Sequence, residues 1–152
     1  MSLYDEVELA IRAGLASPVP TLPAWADEDL RRYREEKLAT LGLKAVFPLW
    51  KRDTRDLMHE FIDLGFKAVV VCVNTDSLDA SFAGRLLDES FLADLPAGVD
   101  PCGENGEFHT FCFGGPVFRH EIPFTLGEKV LREYPAPAGG GKKHSGFCFC
   151  DL

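Results

Sequence analysis

The residues best suited to chemistry lie between Gly98 and Phe111, in the run GVDPCGENGEFHTF. Glu104 and Glu107 stand three positions apart, with Cys102, Asn105 and His109 close by in sequence. Two carboxylates at that spacing in a turn-forming segment can hold a cationic group, and the Asn105 amide can donate a hydrogen bond. Gly103 and Gly106 open backbone angles closed to other residues and let another molecule approach the main chain. Asp100-Pro101 favours a turn, because proline fixes its own φ and keeps the preceding residue extended. Beyond the loop, strand alternation places Phe108, Thr110 and Cys112 on one face and His109, Phe111 and Phe113 on the other. The same residues also suit a plain polar hairpin loop with two solvated glutamates.

A metal centre is the competing chemistry. Cys102, His109, Cys112, Cys148 and Cys150 form a Cys/His-rich set, and structural zinc takes four such ligands in a tetrahedron. The spacing does not match zinc ribbons or knuckles, and His109 and Cys112 fall on opposite strand faces. Cys148 and Cys150 share a face, as two small core residues would. No metal is expected. His59 and His120 fit surface positions, and Trp50 fits a core.

The elements that must position the loop follow from periodicity. Tyr4, Val7, Ile11 and Leu15 predict a helix over 4–16, and three prolines in 17–23 exclude a regular helix or central strand there. A helix is predicted over 27–41, capped by Asp27 and ended by Gly42. Residues 44–49 read as a short strand, and Asp53 or Thr54 caps a helix ended by Gly65. The apolar run from Phe66 to Val73 predicts a buried parallel strand, so 44–73 reads as a right-handed βαβ unit. Asn74-Thr75-Asp76 then forms an ordinary turn. Ser81 to Leu95 reads as mostly helix, ended by Pro96. Strands are predicted at 108–113, 117–124 and 147–152, with Gly114-Gly115 turning the first hairpin. Residues 135–145 read as a flexible link. The expected architecture is α/β, with a partial Rossmann-like domain over 1–74 and a smaller α+β domain over 75–152.

Composition bounds the function class. The chain has 152 residues and 46% hydrophobic content, enough for a packed core of one domain or two small ones. The formal net charge of −8, with no basic stripe, argues against nucleic acid and against an anionic membrane. There is no apolar run of membrane-spanning length and no secretory signal. Five cysteines without such a signal suit reduced thiols in the cytoplasm. Exposed edges of an incomplete sheet favour self-association, so a dimer or larger homo-oligomer is expected.

The run Asp100 to Phe111, followed by Gly115-Pro116-Val117-Phe118, resembles the signature of the diphthine–ammonia ligase family. These are N-type ATP pyrophosphatases of the adenine nucleotide alpha-hydrolase type. The likeness extends over Asp29–Leu38, Phe47–Trp50, Leu64–Val70 and Gly84–Asp88, and Gly146-Phe147 with Asp151-Leu152 resembles the closing strand of the family. It implies an ATP- and magnesium-dependent amide ligase in which a carboxylate is adenylated and ammonia displaces AMP. It implies that Cys102, Gly103, Glu104, Asn105, Gly106, Glu107, Phe108, His109 and Thr110 bind the substrate. Phe108, Phe111 or Trp50 would offer faces to the quaternary ammonium of diphthine. The protein partner implied is a diphthine-bearing elongation factor 2, if the source is archaeal or eukaryotic. The Ser-Gly-Gly-Lys-Asp-Ser phosphate loop of the family has no counterpart here. Gly139–Ser145 is the one Gly/Lys-rich stretch, and it reads as a solvated linker ahead of a strand. The expected role is therefore the substrate-binding portion of the ligase. The alternative is a non-catalytic module, binding a small molecule or a protein, that has lost ATP.

Overall fold

The computed structural model describes residues 28–135 and 144–152. The expected helix over 4–16, the proline-rich segment, the Asp27 cap and most of the Gly/Lys-rich stretch lie outside these residues. The chain divides into two compact units between Arg52 and Asp53.

In the first unit, helix α1 spans Glu28–Ala39. Acids occupy its first turn and Lys37 its last, which complements the helix dipole. Arg31 pairs with Glu35 one turn on at 2.9 Å. The helix stops at Gly42, whose φ of +70° lets the Leu43 N–H reach back to the Leu38 carbonyl at 3.0 Å. The strand expected over 44–49 does not form. Residues 43–47 have no regular structure and 48–50 are a turn closed by the Trp50 N–H on the Phe47 carbonyl. Arg31 lies 4.9 Å over the Trp50 ring and 5.2 Å over Phe47.

The second unit opens with helix α2, Thr54–Asp63. Its N-cap is Asp53, whose carboxylate accepts the Arg55 and Asp56 N–H groups. Gly65, at φ +79°, closes it as Gly42 closes α1. The Phe66 N–H donates to the Phe61 carbonyl, and the two rings stack at 5.1 Å.

Four strands follow: β1 Lys67–Asn74, β2 Phe108–Gly114, β3 Lys129–Pro135 and β4 His144–Cys150. They form one sheet in the order β2-β1-β4-β3, and every pairing is antiparallel. The fold is thus a mixture of helices and strands, and the parallel, Rossmann-like βαβ expected over 44–73 is corrected on two counts. Its first strand is absent, and β1 runs against both neighbours. An all-apolar run reads the same in either case, because burial on both faces is what it reports. The domain boundary expected near residue 75 falls at the end of β1, the strand around which the second unit is built.

The segment expected to be one helix from Ser81 to Leu95 breaks in three. A 3-10 turn spans Ala80–Phe82, and helix α3 spans Glu89–Asp94 behind an Asp88 N-cap. Between them Gly84, at φ +78°, turns the chain so that Gly84, Arg85 and Leu87 hydrogen-bond along β1 at Val70 and Ala68. Those residues complete the edge of β1 that β4 pairs only at Cys72–Asn74. Phe82, Leu87, Phe91, Leu92 and Leu95 then cover one sheet face with Ala68, Val70, Val73, Phe108, Cys148 and Cys150. Phe91 is central, edge-on to Phe82 at 5.6 Å and to Phe108 at 5.4 Å. On the opposite face Phe124 packs on Phe113 and Phe111. The hairpin strand expected over 117–124 is not formed. That segment folds back over the sheet and is held at Ile122, whose N–H donates to the Phe113 carbonyl at 2.8 Å.

Candidate functional site

The loop from Val99 to Glu107 is two turns wrapped around a carboxylate. The Gly103 N–H donates to the Asp100 carbonyl at 2.9 Å and the Gly106 N–H to the Gly103 carbonyl at 3.1 Å. Gly103 and Gly106 have φ of +69° and +80°, angles that L-residues with side chains adopt at a cost. Gly103 is also pressed on the strand that follows. A Cβ there would meet the Phe108 carbonyl oxygen at 2.8 Å.

Glu107 is buried, with 4% of its surface exposed. Its Oε1 accepts the Asp100 N–H and the Asn105 side-chain amide, both at 3.1 Å, and its Oε2 accepts the Asn105 N–H at 2.9 Å. Burial works to raise its pKa. The hydrogen bonds from Asp100, Asn105 and the backbone outweigh burial and hold the carboxyl below its ordinary range. Its own carbonyl accepts the Asn74 N–H at 2.8 Å, which joins the loop to the end of β1. The Glu107 carboxylate and the Asn105 donors are therefore spent on each other and on the loop.

The loop is also tied to α2 through Thr54. Asp100 Oδ2 accepts the Thr54 hydroxyl at 2.8 Å, and Asp100 Oδ1 accepts the Cys102 N–H at 2.8 Å. The Cys102 thiol donates to the Thr54 carbonyl at 3.3 Å. Burial, with the charges of Asp100, Glu104 and Asp53, pushes that thiol up to about 12, so it stays a donor and not a nucleophile.

Glu104 differs from Glu107. It is half-buried, and among the described residues no cation or hydrogen-bond donor faces it. Burial and the like charges of Asp100 and Glu107 push its carboxyl above the ordinary range. Of the two acids, this is the one with unmet capacity. An open groove of about 330 Å³ lies beside the loop, between Asp53–Arg55 at the start of α2 and Ala97–Pro101 with Asn105. Its polar wall carries Asp53, Asp100 and Arg55, and Glu104 is not part of its lining.

The remaining expected site residues separate. Phe108 is a core residue, 3% exposed, and Phe111 packs against Phe124 at 6.0 Å, so Phe108 does not offer its face to a ligand. Trp50 belongs to the first unit, where Arg31 already occupies its face. His109 and Thr110 are exposed on β2 opposite Cys72 and Val70. Among the described residues no group of three His, Cys, Asp or Glu side chains is placed to hold a metal. All five cysteines are free, with Cys148 and Cys150 in the core. Asn74 forms the expected turn, its side chain accepting the Asp76 N–H at 3.0 Å. Thr54 carried no sequence signal for its part in the loop, since its partner Asp100 lies 46 positions away.

An antiparallel sheet covered on one face by short helices, with a glycine- and glutamate-rich loop feeding its edge strand, is the class of domain that these elements define. A family model described as the diphthamide synthase C-terminal domain matches residues 53–134, over half of the chain. It begins at the residue where the second compact unit begins. The chain belongs to this family. Among curated relatives, the diphthine–ammonia ligase of Homo sapiens is 33% identical over 114 residues, covering 71% of this chain and 43% of that protein. That of Bos taurus is 35% identical over the same shares, and that of Danio rerio is 34% identical over 74% of this chain and 47% of its own. The chain thus spans less than half the length of these relatives.

Proposed function

We propose that this chain supplies the substrate-binding portion of an ATP-dependent amide ligase of the diphthine–ammonia ligase type. The observation that carries the proposal is Glu104: a half-buried carboxylate with no cationic or donating partner among the described residues, mounted on a loop whose every other acid is engaged. A quaternary ammonium group offers it charge without competing for the donors that Glu107 uses. The names of the relatives support diphthine as that guest, and the protein bearing it would be a diphthine-modified elongation factor 2. Glu107, Asn105 and Asp100 then act as positioning residues, fixing the loop before the guest arrives.

The phosphates of ATP, which the resemblance implies together with magnesium, meet no open donors at the two helix starts of the second unit. Helices α2 and α3 both start at an aspartate, Asp53 and Asp88, whose carboxylate already takes the first N–H groups. A phosphate there would meet like charge instead of open donors. A second reading, a binding module without catalysis, shares this expectation. Titrating the chain with a diphthine-bearing peptide tests the first step of both readings, and binding is expected. A parallel titration with magnesium-ATP is expected to be weak. Tight ATP binding would mean that the nucleotide site lies in this chain after all, and absence of peptide binding would overturn the substrate-binding role.

A further inference from the structure

We propose that the outer edge of β3 docks a second copy of this chain, in a two-fold antiparallel pairing centred on Leu131. The strand order leaves β3 at one end of the sheet, with its outer side unpaired among the described residues. All its residues except Val130 are exposed, and Leu131 is 61% exposed. An open edge is a template for another strand, and the charges that guard this one, Lys129 and Glu133, are of opposite sign, so a second copy can match them.

The direction of the backbone groups is fixed by the neighbouring bonds. The Glu128 carbonyl accepts the Asp151 N–H at 3.1 Å, so Glu128 faces β4. By the two-residue period, Val130, Arg132 and Tyr134 also face β4, and Lys129, Leu131 and Glu133 turn their N–H and C=O groups outward. Pro135 falls in the outward set, where its missing N–H removes nothing from the β3–β4 ladder.

A two-fold axis normal to the sheet sets residues of the same parity opposite each other, and the side chains then choose the centre. Centred on Lys129, Glu133 or Arg132, the pairing opposes like charges. Centred on Val130, the outward groups also meet and Glu128 opposes Arg132, but Lys129 falls opposite Leu131 and Glu133 opposite Gly127, so swapping the charges at 129 and 133 separates that register from the one centred on Leu131. Centred on Leu131, it sets Leu131 against its own copy and Lys129 against Glu133 twice, with outward groups meeting along 129–133. Opposite charges directly across an antiparallel pair stabilise it, and like charges destabilise it. The pairing is isologous, so each β3 edge is consumed and this contact closes at a dimer. It does not depend on the ligand assigned to the loop.

Light scattering on the chromatographed 152-residue chain at micromolar concentration is expected to give a dimer. Lys129→Glu and Glu133→Lys should each weaken it about tenfold by opposing like charges. The Lys129→Glu/Glu133→Lys double variant should restore it, each with the wild-type circular dichroism spectrum. On the wild type alone, hydrogen exchange at the Lys129, Leu131 and Glu133 amides should slow as concentration rises. A monomer, a dimer indifferent to the single swaps, a folded double variant that stays monomeric, or amides indifferent to concentration would each overturn the proposal.

Discussion

The Glu107 carboxylate accepts the backbone N–H of Asp100, seven residues earlier, at 3.1 Å. That bond makes Glu107 the centre of the loop and not its outer surface. It also divides two glutamates that look equivalent in sequence into one that builds the site and one that is left to meet a guest.

Removing the Glu107 carboxylate leaves the Asp100 and Asn105 donors without partners. Glu107→Ala should lower stability by about 2–3 kcal/mol, the usual cost of stripping a charged acceptor from enclosed donors. Glu107→Gln should cost less, because one accepting oxygen remains. Urea denaturation with a common slope measures both.

The two acids should shape the pH dependence of stability with opposite signs. Glu107 ionises more readily when folded, so its contribution is present above the ordinary carboxylate range and is lost as pH falls through its lowered value. Glu104 ionises less readily when folded, so it weakens the fold as pH rises from the ordinary range through its raised value. Glu104→Gln should remove the second dependence and leave the first. Denaturation midpoints across the acid range distinguish them.

The two loop glycines should differ. Both sit at positive φ, where alanine costs about 1–2 kcal/mol. Only Gly103 also faces a backbone atom, the Phe108 carbonyl at 2.8 Å from a built Cβ, while nothing lies within 4 Å at Gly106. Gly103→Ala should therefore lower the melting temperature more than Gly106→Ala.

Cys102 should resist alkylation. A thiol pushed from 9.0 to about 12 has about a thousandfold less thiolate at neutral pH than an ordinary one. Asp100→Ala removes one of the raising charges and the hold on Thr54, and should speed the reaction. Mass-spectrometric rates at Cys102, with Cys148 as the buried control, measure this.

Much of the scaffold was legible because it rests on local chemistry. Asp53 caps α2 and Gly42 and Gly65 end their helices through contacts within a few residues. β2 alternates as expected, with Phe108 inward and Phe113 on the far side. What was not legible depended on distant partners. The direction of β1 is set by strands about 40 and 75 residues later, and no property of a Val-rich run reports it. β3 was missed because an edge strand with both sides exposed, Lys129 to Pro135, shows no apolar alternation to read. In the loop, residue types pointed to the right stretch, but the difference between Glu104 and Glu107 exists only once Asp100 and Asn105 have folded around one of them.

The most direct test is calorimetric titration of a diphthine-bearing peptide into wild-type chain and Glu104→Gln at neutral pH. The charge-neutral variant should bind about tenfold more weakly while melting no lower than wild type. Equal affinity in the two proteins would contradict the assignment of Glu104 as the acid that holds the cation.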